Sequence, residues 1–315
     1  MGLFRSIKLR WLVARAESAA AKGDLARACE RLEAALPLAD GERKAAVLNR
    51  LGLLCYRRGD FERAARSCRE ATQYVGAPNA TLHMNLANAL DRLGRPEEAL
   101  AEYERARDLA PDHAGVLFNL GVYKSGAGDP RGAVEVLRKA LESMRAAPDR
   151  VPAGLTSENV ATALVHACSA AGMRAEAEEE LARVKLSDAS RLNLRAMLAS
   201  RTGDPDEALR LYREALEADP ALASAHFNMG MAFLRKGEAA RALEAFDRFA
   251  RATPDDPVAE FGLGYAHESM EHAELARKHY DEFLRRARTY SGDAAWLEIA
   301  RGFMDQAEKY LRQQN

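Results

Sequence analysis

The 315-residue chain is 48% apolar and 30% charged, with 46 Lys/Arg against 47 Asp/Glu. That balance describes a folded, soluble chain, offers no electrostatic case for nucleic acid as a partner, and leaves no apolar run long enough to span a bilayer. Ala, Leu, Glu and Arg dominate and β-branched residues are sparse, which selects an all-α fold. The charge is unevenly spread: residues 1–78 hold 15 Lys/Arg against 9 Asp/Glu, which leaves −7 for the remainder. A basic first quarter suits either ordinary solvated helix faces or an anionic partner.

In chain order, apolar residues recur with helical spacing in pairs of short segments. The first pair runs from about Leu9, or from as early as Leu3, to Ala21, turns at Gly23-Asp24 and returns through Ala28, Leu32 and Ala35. The second starts near Ala45, carries Leu48, Leu51-Gly52 and Cys55, turns at Gly59-Asp60 and returns through Phe61, Ala64, Cys68 and Ala71. The third, Ala80 to Pro111, is the cleanest: Leu86, Ala87 and Leu90, a turn at Gly94, then Ala99, Tyr103 and Ala106. The fourth has Leu117, Leu120-Gly121, the turn Gly128-Asp129-Pro130, and Ala133, Leu137 and Ala140. Arg145 to Ser157 holds two prolines and a glycine and reads as a loop or hinge. Beyond it the fifth pair is the poorest match, with Leu164, Cys168, Gly172, Ala177 and Leu181. The sixth (Ala196, Gly203-Asp204-Pro205, Ala208, Tyr212) and seventh (Met229-Gly230, Phe233, Gly237, Ala242, Phe246) are regular. The eighth keeps Leu263-Gly264, Ala276 and Tyr280 but has Glu271 where the turn glycine belongs. Gly292 to Gln313, with Trp296, Ile299, Phe303 and Tyr310, reads as a final helix over the exposed last face.

The turns share a grammar. Glycine closes the first helix in a left-handed conformation, aspartate caps the second, and proline takes its first position, where no N–H is needed. A period near 34 residues with L-G/A, a turn glycine, A-x3-Y/F, a later Ala and a closing Pro resembles the tetratricopeptide repeat. The resemblance covers roughly residues 9–290. It departs at repeat position 4, where His83, Leu117, Leu192 and His226 replace larger aromatics. It implies an all-α, right-handed superhelical α-solenoid of about eight helix–turn–helix repeats with a C-terminal capping helix. The expected division is repeats 1–4 over 1–147, a hinge at 148–157, repeats 5–8 over 158–290 and the cap over 291–315. The resemblance also implies that the first helix of each repeat (helix A) lines a concave groove holding a partner's peptide or helix, while helix B forms the back.

Several residues are spare once the fold is accounted for. Asn85, Asn119 and Asn228 precede the L-G/A pair in three repeats. A carboxamide has both donor and acceptor, so such a ladder suits a peptide backbone of any sequence; the alternative is a bond to a neighbouring helix. Arg57, Arg92, Arg201 and Arg235 recur near the end of helix A, and Arg50 lies two turns before Arg57. They suit carboxylates, or simply complement the helix dipole. No chaperone-tail clamp is found in register. Met197, Phe227, Met231, Leu234, Phe261 and Tyr265 occupy expected groove positions in the later repeats and suit an apolar ligand helix, or belong to the core. The expected groove is basic and polar in its first half and apolar in its second.

The four cysteines, Cys29, Cys55, Cys68 and Cys168, form no CxxC pair and read as small core residues of a reducing compartment. The N-terminus, MGLFRSIKLRWLVARAES, lacks a signal-peptide layout, so the expected location is the cytoplasm. Its Arg5, Lys8, Arg10 and Arg15 beside Leu3, Phe4, Ile7 and Trp11 suit a solenoid cap or, through residues 1–15, an anionic membrane surface. Arg outnumbers Lys 37 to 9, a bias associated with GC-rich bacterial genomes. No GxSxG, P-loop or HExxH is present, and Gly262-x-Gly264 falls inside a helix pattern rather than after a strand. His267, Glu271 and His272 cluster in sequence but diverge on a helix, so no metal or other cofactor is expected. The reading is a non-enzymatic scaffold or adaptor for a protein or peptide partner. The alternatives are a membrane-peripheral assembly factor and a self-assembling homo-oligomer.

Overall fold

The computed structural model describes residues 2–77, 79–287 and 294–314, and every regular element among them is helical. The first eight helices are α1 Gly2–Ala21, α2 Leu25–Ala35, α3 Gly41–Arg57, α4 Phe61–Ala71, α5 Ala80–Arg92, α6 Pro96–Leu109, α7 Ala114–Gly126 and α8 Pro130–Ala146. They are followed by α9 Ser157–Ala171, α10 Arg174–Arg183, α11 Asp188–Arg201, α12 Pro205–Ala218, α13 Ala223–Arg235, α14 Ala239–Ala252, α15 Val258–Ser269, α16 Ala273–Ala287 and α17 Ala294–Gln313. Short 3-10 turns occupy Leu36–Leu38 and Pro148–Arg150.

The chain forms two compact units, Met1–Pro152 and Ala153–Asn315. Each is an α-solenoid stack of hairpins in which helices α1 to α16 alternate between type A (odd) and type B (even). In the first unit each A helix packs on its own B helix, and the A helices α3, α5 and α7 touch in succession. In the second, α9, α11, α13 and α15 touch in the same way, and α17 packs on α15 and α16. The expected start of the last helix at Gly292, and the side chains of Trp296 and Ile299, lie outside the described residues.

Local chemistry accounts for the hairpins. Asp24, Asp60, Asp129 and Asp204 accept hydrogen bonds from the backbone N–H three residues on, at 3.0, 3.3, 2.9 and 3.0 Å. Each thereby satisfies a donor that the helix cannot pair internally. The eighth repeat breaks the turn rule: Glu271, at φ 60, is the one non-glycine with positive φ among the described residues. The chain takes the left-handed turn there all the same, and the His272 N–H donates to the His267 carbonyl at 2.9 Å as in the glycine turns.

The core is built from small residues on helix A facing large ones on helix B. Phe246 is fully buried, and a Cβ on either Gly230 or Gly262 would lie 2.6 Å from its ring. Gly262 therefore serves close packing inside α15. All four cysteines are buried and free. Hydrogen bonding from the neighbouring Cys55 thiol, with the charges of Arg58 and Arg63, outweighs burial and holds the Cys29 thiol below its ordinary value.

The first helix begins earlier than Leu9, because nothing in Gly2 to Lys8 breaks it and Arg5 ties it down. The Arg5 guanidinium donates to the carbonyls of Pro37 and Leu38 at 3.0 and 3.1 Å.

Candidate functional site

In the first unit the residues spare from packing lie on α3, α5 and α7. Asn85 on α5 donates through Nδ2 to Asn49 Oδ1 on α3 at 2.8 Å. Both side chains are partly buried, and the Asn85 oxygen and the Asn49 nitrogen have no hydrogen-bond partner among the described residues. Asn119 on α7 is partly buried and likewise without a partner among them. The two linked carboxamides thus present one acceptor and one donor on a fixed bridge between adjacent A helices, an arrangement that can read a peptide backbone.

The cations of this unit differ in their surroundings. Arg50 faces Glu17 at 3.3 Å with both side chains largely exposed, so the pair contributes little. The Arg92 guanidinium lies 4.5 Å from the Phe61 ring centroid. Neither Arg57 nor Arg92 has a carboxylate partner among the described residues.

The second unit repeats the carboxamide bridge and adds a denser cation cluster. Asn228 on α13 donates to Asn193 Oδ1 on α11 at 3.2 Å, and Asn193 Nδ2 donates to Ser224 Oγ at 3.2 Å. Asn193 is 2% exposed, so here the outer partner, Asn228, is the one left to meet a ligand. Arg201 and Arg235 are the last residues of α11 and α13, at matching positions one repeat apart. Arg235 Nη1 donates to Ser200 Oγ at 2.6 Å, and neither arginine meets a carboxylate among the described residues.

His166 on α9, six residues before the turn glycine Gly172, feels the charges of both arginines. Burial, then the charges of Arg201 and Arg235, hold its pKa down to about 4, so it is neutral near pH 7. Burial, then Arg235, also lowers the pKa of Arg201. The Tyr212 phenol, raised mainly by burial, lies within the field of both guanidinium groups. Two like charges one repeat apart, both acting on a neutral histidine and without a carboxylate partner among the described residues, suit an oxyanion.

The apolar positions divide. Phe227 is partly buried, with its ring 5.4, 5.2 and 5.8 Å from those of Phe246, Phe249 and Phe303. Met231 is partly buried against the α11–α14 core, with Leu234 beside it, and Tyr265 is partly buried 6.0 Å from Phe261. Phe261 itself is corrected from a groove residue to a core residue: it is 0% exposed and stacked on Phe303 of α17 at 4.2 Å. Met197, 7% exposed, is core as well. The cause is the same for both: helix A is apolar on two sides, and neighbouring helices cover these positions.

His267 and His272 bring their Nδ1 atoms to 3.4 Å, and the His267 ring stacks on His279. Among the described residues no group of three or more His, Cys, Asp or Glu is placed to hold a metal ion. No helix among them is long and apolar enough to cross a membrane.

Sequence reasoning missed Asn49, Asn193, His166 and Ser200. Asn49 and Asn193 sit one position earlier in their repeats than Asn85 and Asn228. A search keyed to asparagine immediately before L-G/A passes over them, whereas a search for carboxamides 35 or 36 residues apart finds both pairs.

Two family models described as tetratricopeptide repeat match the chain, one over residues 13–81 and 193–257 and the other over 79–146. Among solved structures, a tetratricopeptide repeat protein from Parabacteroides merdae is 21% identical with a TM-score of 0.58, the match covering 82% of this chain and 98% of that one. Yeast Tom70 is 16% identical with a TM-score of 0.56, over 91% of this chain and 60% of Tom70. At these identities the likeness shows the fold alone. No curated protein matches the chain.

Proposed function

Because the chain belongs to the tetratricopeptide repeat family, we propose that it is a non-enzymatic scaffold of the cytoplasm whose two units each hold an acidic segment of a partner protein along their own A-helix faces. Arg57, Arg92, Arg201 and Arg235 supply the charge. In the first unit the carboxamides of Asn85 and Asn119 meet the segment's backbone; in the second Asn228 does so, and Phe227, Met231 and Tyr265 border the segment's apolar side chains. The observation that carries this reading is the Arg201–Arg235 pair. Arg195 on the same helix α11 pairs with Glu178 at 2.7 Å, while Arg201 and Arg235, whose charges both act on His166, meet no carboxylate among the described residues. An isolated cation at a helix end would answer the dipole alone. Two such cations over a neutral histidine repel each other, and a bound carboxylate relieves that repulsion.

The test is affinity capture with the full chain, mapping of the bound segment, and titration of the synthetic segment. Each carboxamide bond contributes ~0.5–1.5 kcal/mol net. The Asn85→Ala, Asn119→Ala, Asn228→Ala triple variant therefore weakens binding at either unit by about 2-fold or more, and Arg201→Gln with Arg235→Gln weakens binding at the second unit, most at low salt. Unchanged affinity in both folded variants refutes the assignment of these residues.

A further inference from the structure

Helix α1 carries two apolar stripes. Leu9, Leu12, Ala16 and Ala19 are buried, and the helix packs on α2 and on the Leu36–Leu38 turn. The second stripe has no cover among the described residues: Phe4, Ile7 and Trp11, spaced i, i+3, i+7, are 84%, 57% and 50% exposed. The other exposed large apolar side chains among the described residues, Leu53, Leu109 and Leu275, stand singly. Three large side chains on one turn-spaced line, two of them aromatic, are an interaction face.

The surroundings of that line are cationic. Lys8, Arg10 and Arg15 are exposed, and the guanidinium groups of Arg15 and Arg31 lie 5.4 and 5.6 Å from the Trp11 ring centroid. Residues 1–31 hold seven Lys/Arg and three Asp/Glu. Two of those acids are engaged: Glu17 with Arg50 at 3.3 Å, and Asp24 as the cap of α2. Arg5 is spent on the Pro37 and Leu38 carbonyls, which fixes the start of α1 on its unit and presents the stripe as a rigid edge. A second copy docking on this face by two-fold symmetry would set these cations against their own equivalents. A surface that is apolar beneath and anionic above meets both features at once.

We propose that the outer face of α1 seats on an anionic membrane surface, with Phe4, Ile7 and Trp11 entering the headgroup boundary and Lys8, Arg10 and Arg15 against lipid phosphates. Aromatic residues favour that boundary, where an apolar ring and a polar edge are both satisfied. Three apolar side chains are too few to hold the chain on a neutral bilayer, so binding depends on the lipid charge. This inference is independent of the partner-binding reading, since none of its residues lies among those assigned to the A-helix faces.

Flotation of the full chain with vesicles tests it. Vesicles of phosphatidylcholine with about 30% phosphatidylglycerol carry the chain to the top of the gradient, and phosphatidylcholine alone does not. Raising the salt from about 0.1 to about 0.5 M releases it. Phe4→Ser with Trp11→Ser, and separately Lys8→Glu with Arg10→Glu, each reduce the partition coefficient at least ~10-fold. These side chains are exposed, so the helix content and melting of the variants stay those of the parent, which circular dichroism verifies. Absence of flotation on anionic vesicles, equal flotation on both lipids, or variants that float like the parent overturns the proposal. So does a concentration-dependent dimer in light scattering that Trp11→Ser abolishes, which assigns the face to a second copy.

Discussion

Replacing Glu271 by glycine stabilises the second unit. Glu271 holds φ at 60 in the turn between α15 and α16, where the equivalent turn of the preceding repeat uses Gly237 at φ 75. A left-handed conformation costs a residue with a Cβ ~1–2 kcal/mol, and glycine escapes that cost. Glycine also has more freedom to lose from the unfolded chain, worth ~0.5–1 kcal/mol in the opposite sense. The Glu271 side chain is exposed and in no ion pair among the described residues, so nothing else is lost. The net gain is therefore ~0.5–1 kcal/mol, or a rise of a few degrees at most in the melting of a unit this size. The reciprocal change, Gly237→Glu, meets no atom within 4 Å at its new Cβ, so its cost comes from the backbone and is of similar size with opposite sign. Urea denaturation gives the free energies. Hydrogen exchange of α15 and α16 localises them, because a repeat array opens in parts. If Glu271→Gly leaves the midpoint unchanged or lowers it, the account of the turn is wrong.

Three further outcomes follow from packing and charge. Gly262→Ala places a methyl 2.6 Å from the Phe246 ring and destabilises by ~1–3 kcal/mol; adding Phe246→Leu recovers part of it, and a cycle in urea showing no coupling refutes the contact. His166, with its folded pKa held down to about 4, binds its proton more weakly than in the unfolded chain. Stability is therefore intact above pH 6.5 and falls by up to ~3 kcal/mol as pH drops to 4; His166→Gln flattens that decline, and an equal slope in parent and variant contradicts it. Arg201→Gln with Arg235→Gln removes the two charges that oppose protonation and raises the His166 pKa, measured by NMR titration of its ring; a value that stays put places the arginines elsewhere.

Much of the fold was legible because the repeat states it many times over. The L-G/A pairs, the turn glycines and the capping aspartates each satisfy a local requirement, and the helix pairs they mark are the ones that form. Glu271 was legible as an anomaly, though not how it resolves: only the backbone reveals that the left-handed turn persists without glycine. The candidate site was less legible. An aromatic on helix A serves core or ligand with equal chemistry, and what decides for Phe261 is α17 arriving over it, a contact between segments 42 residues apart at Phe261 and Phe303. The carboxamide bridges depend on which helices lie side by side, so Asn49 and Asn193 gain meaning only with Asn85 and Asn228 in place. For the same reason α1 displays its second stripe only once the burial of Leu9 and Leu12 shows which side is left outside.

The central claim is that partner segments lie along the A-helix faces. Site-specific photo-crosslinking in cells tests it most directly, with a crosslinking residue at Asn119 on α7 or Met231 on α13, and in parallel at Glu135 on α8 or Glu244 on α14, exposed on the B helices of the same repeats. The account predicts a discrete protein adduct from Asn119 and Met231 that an excess of the mapped acidic segment competes away, and none from Glu135 or Glu244. Adducts confined to Glu135 and Glu244 would contradict it.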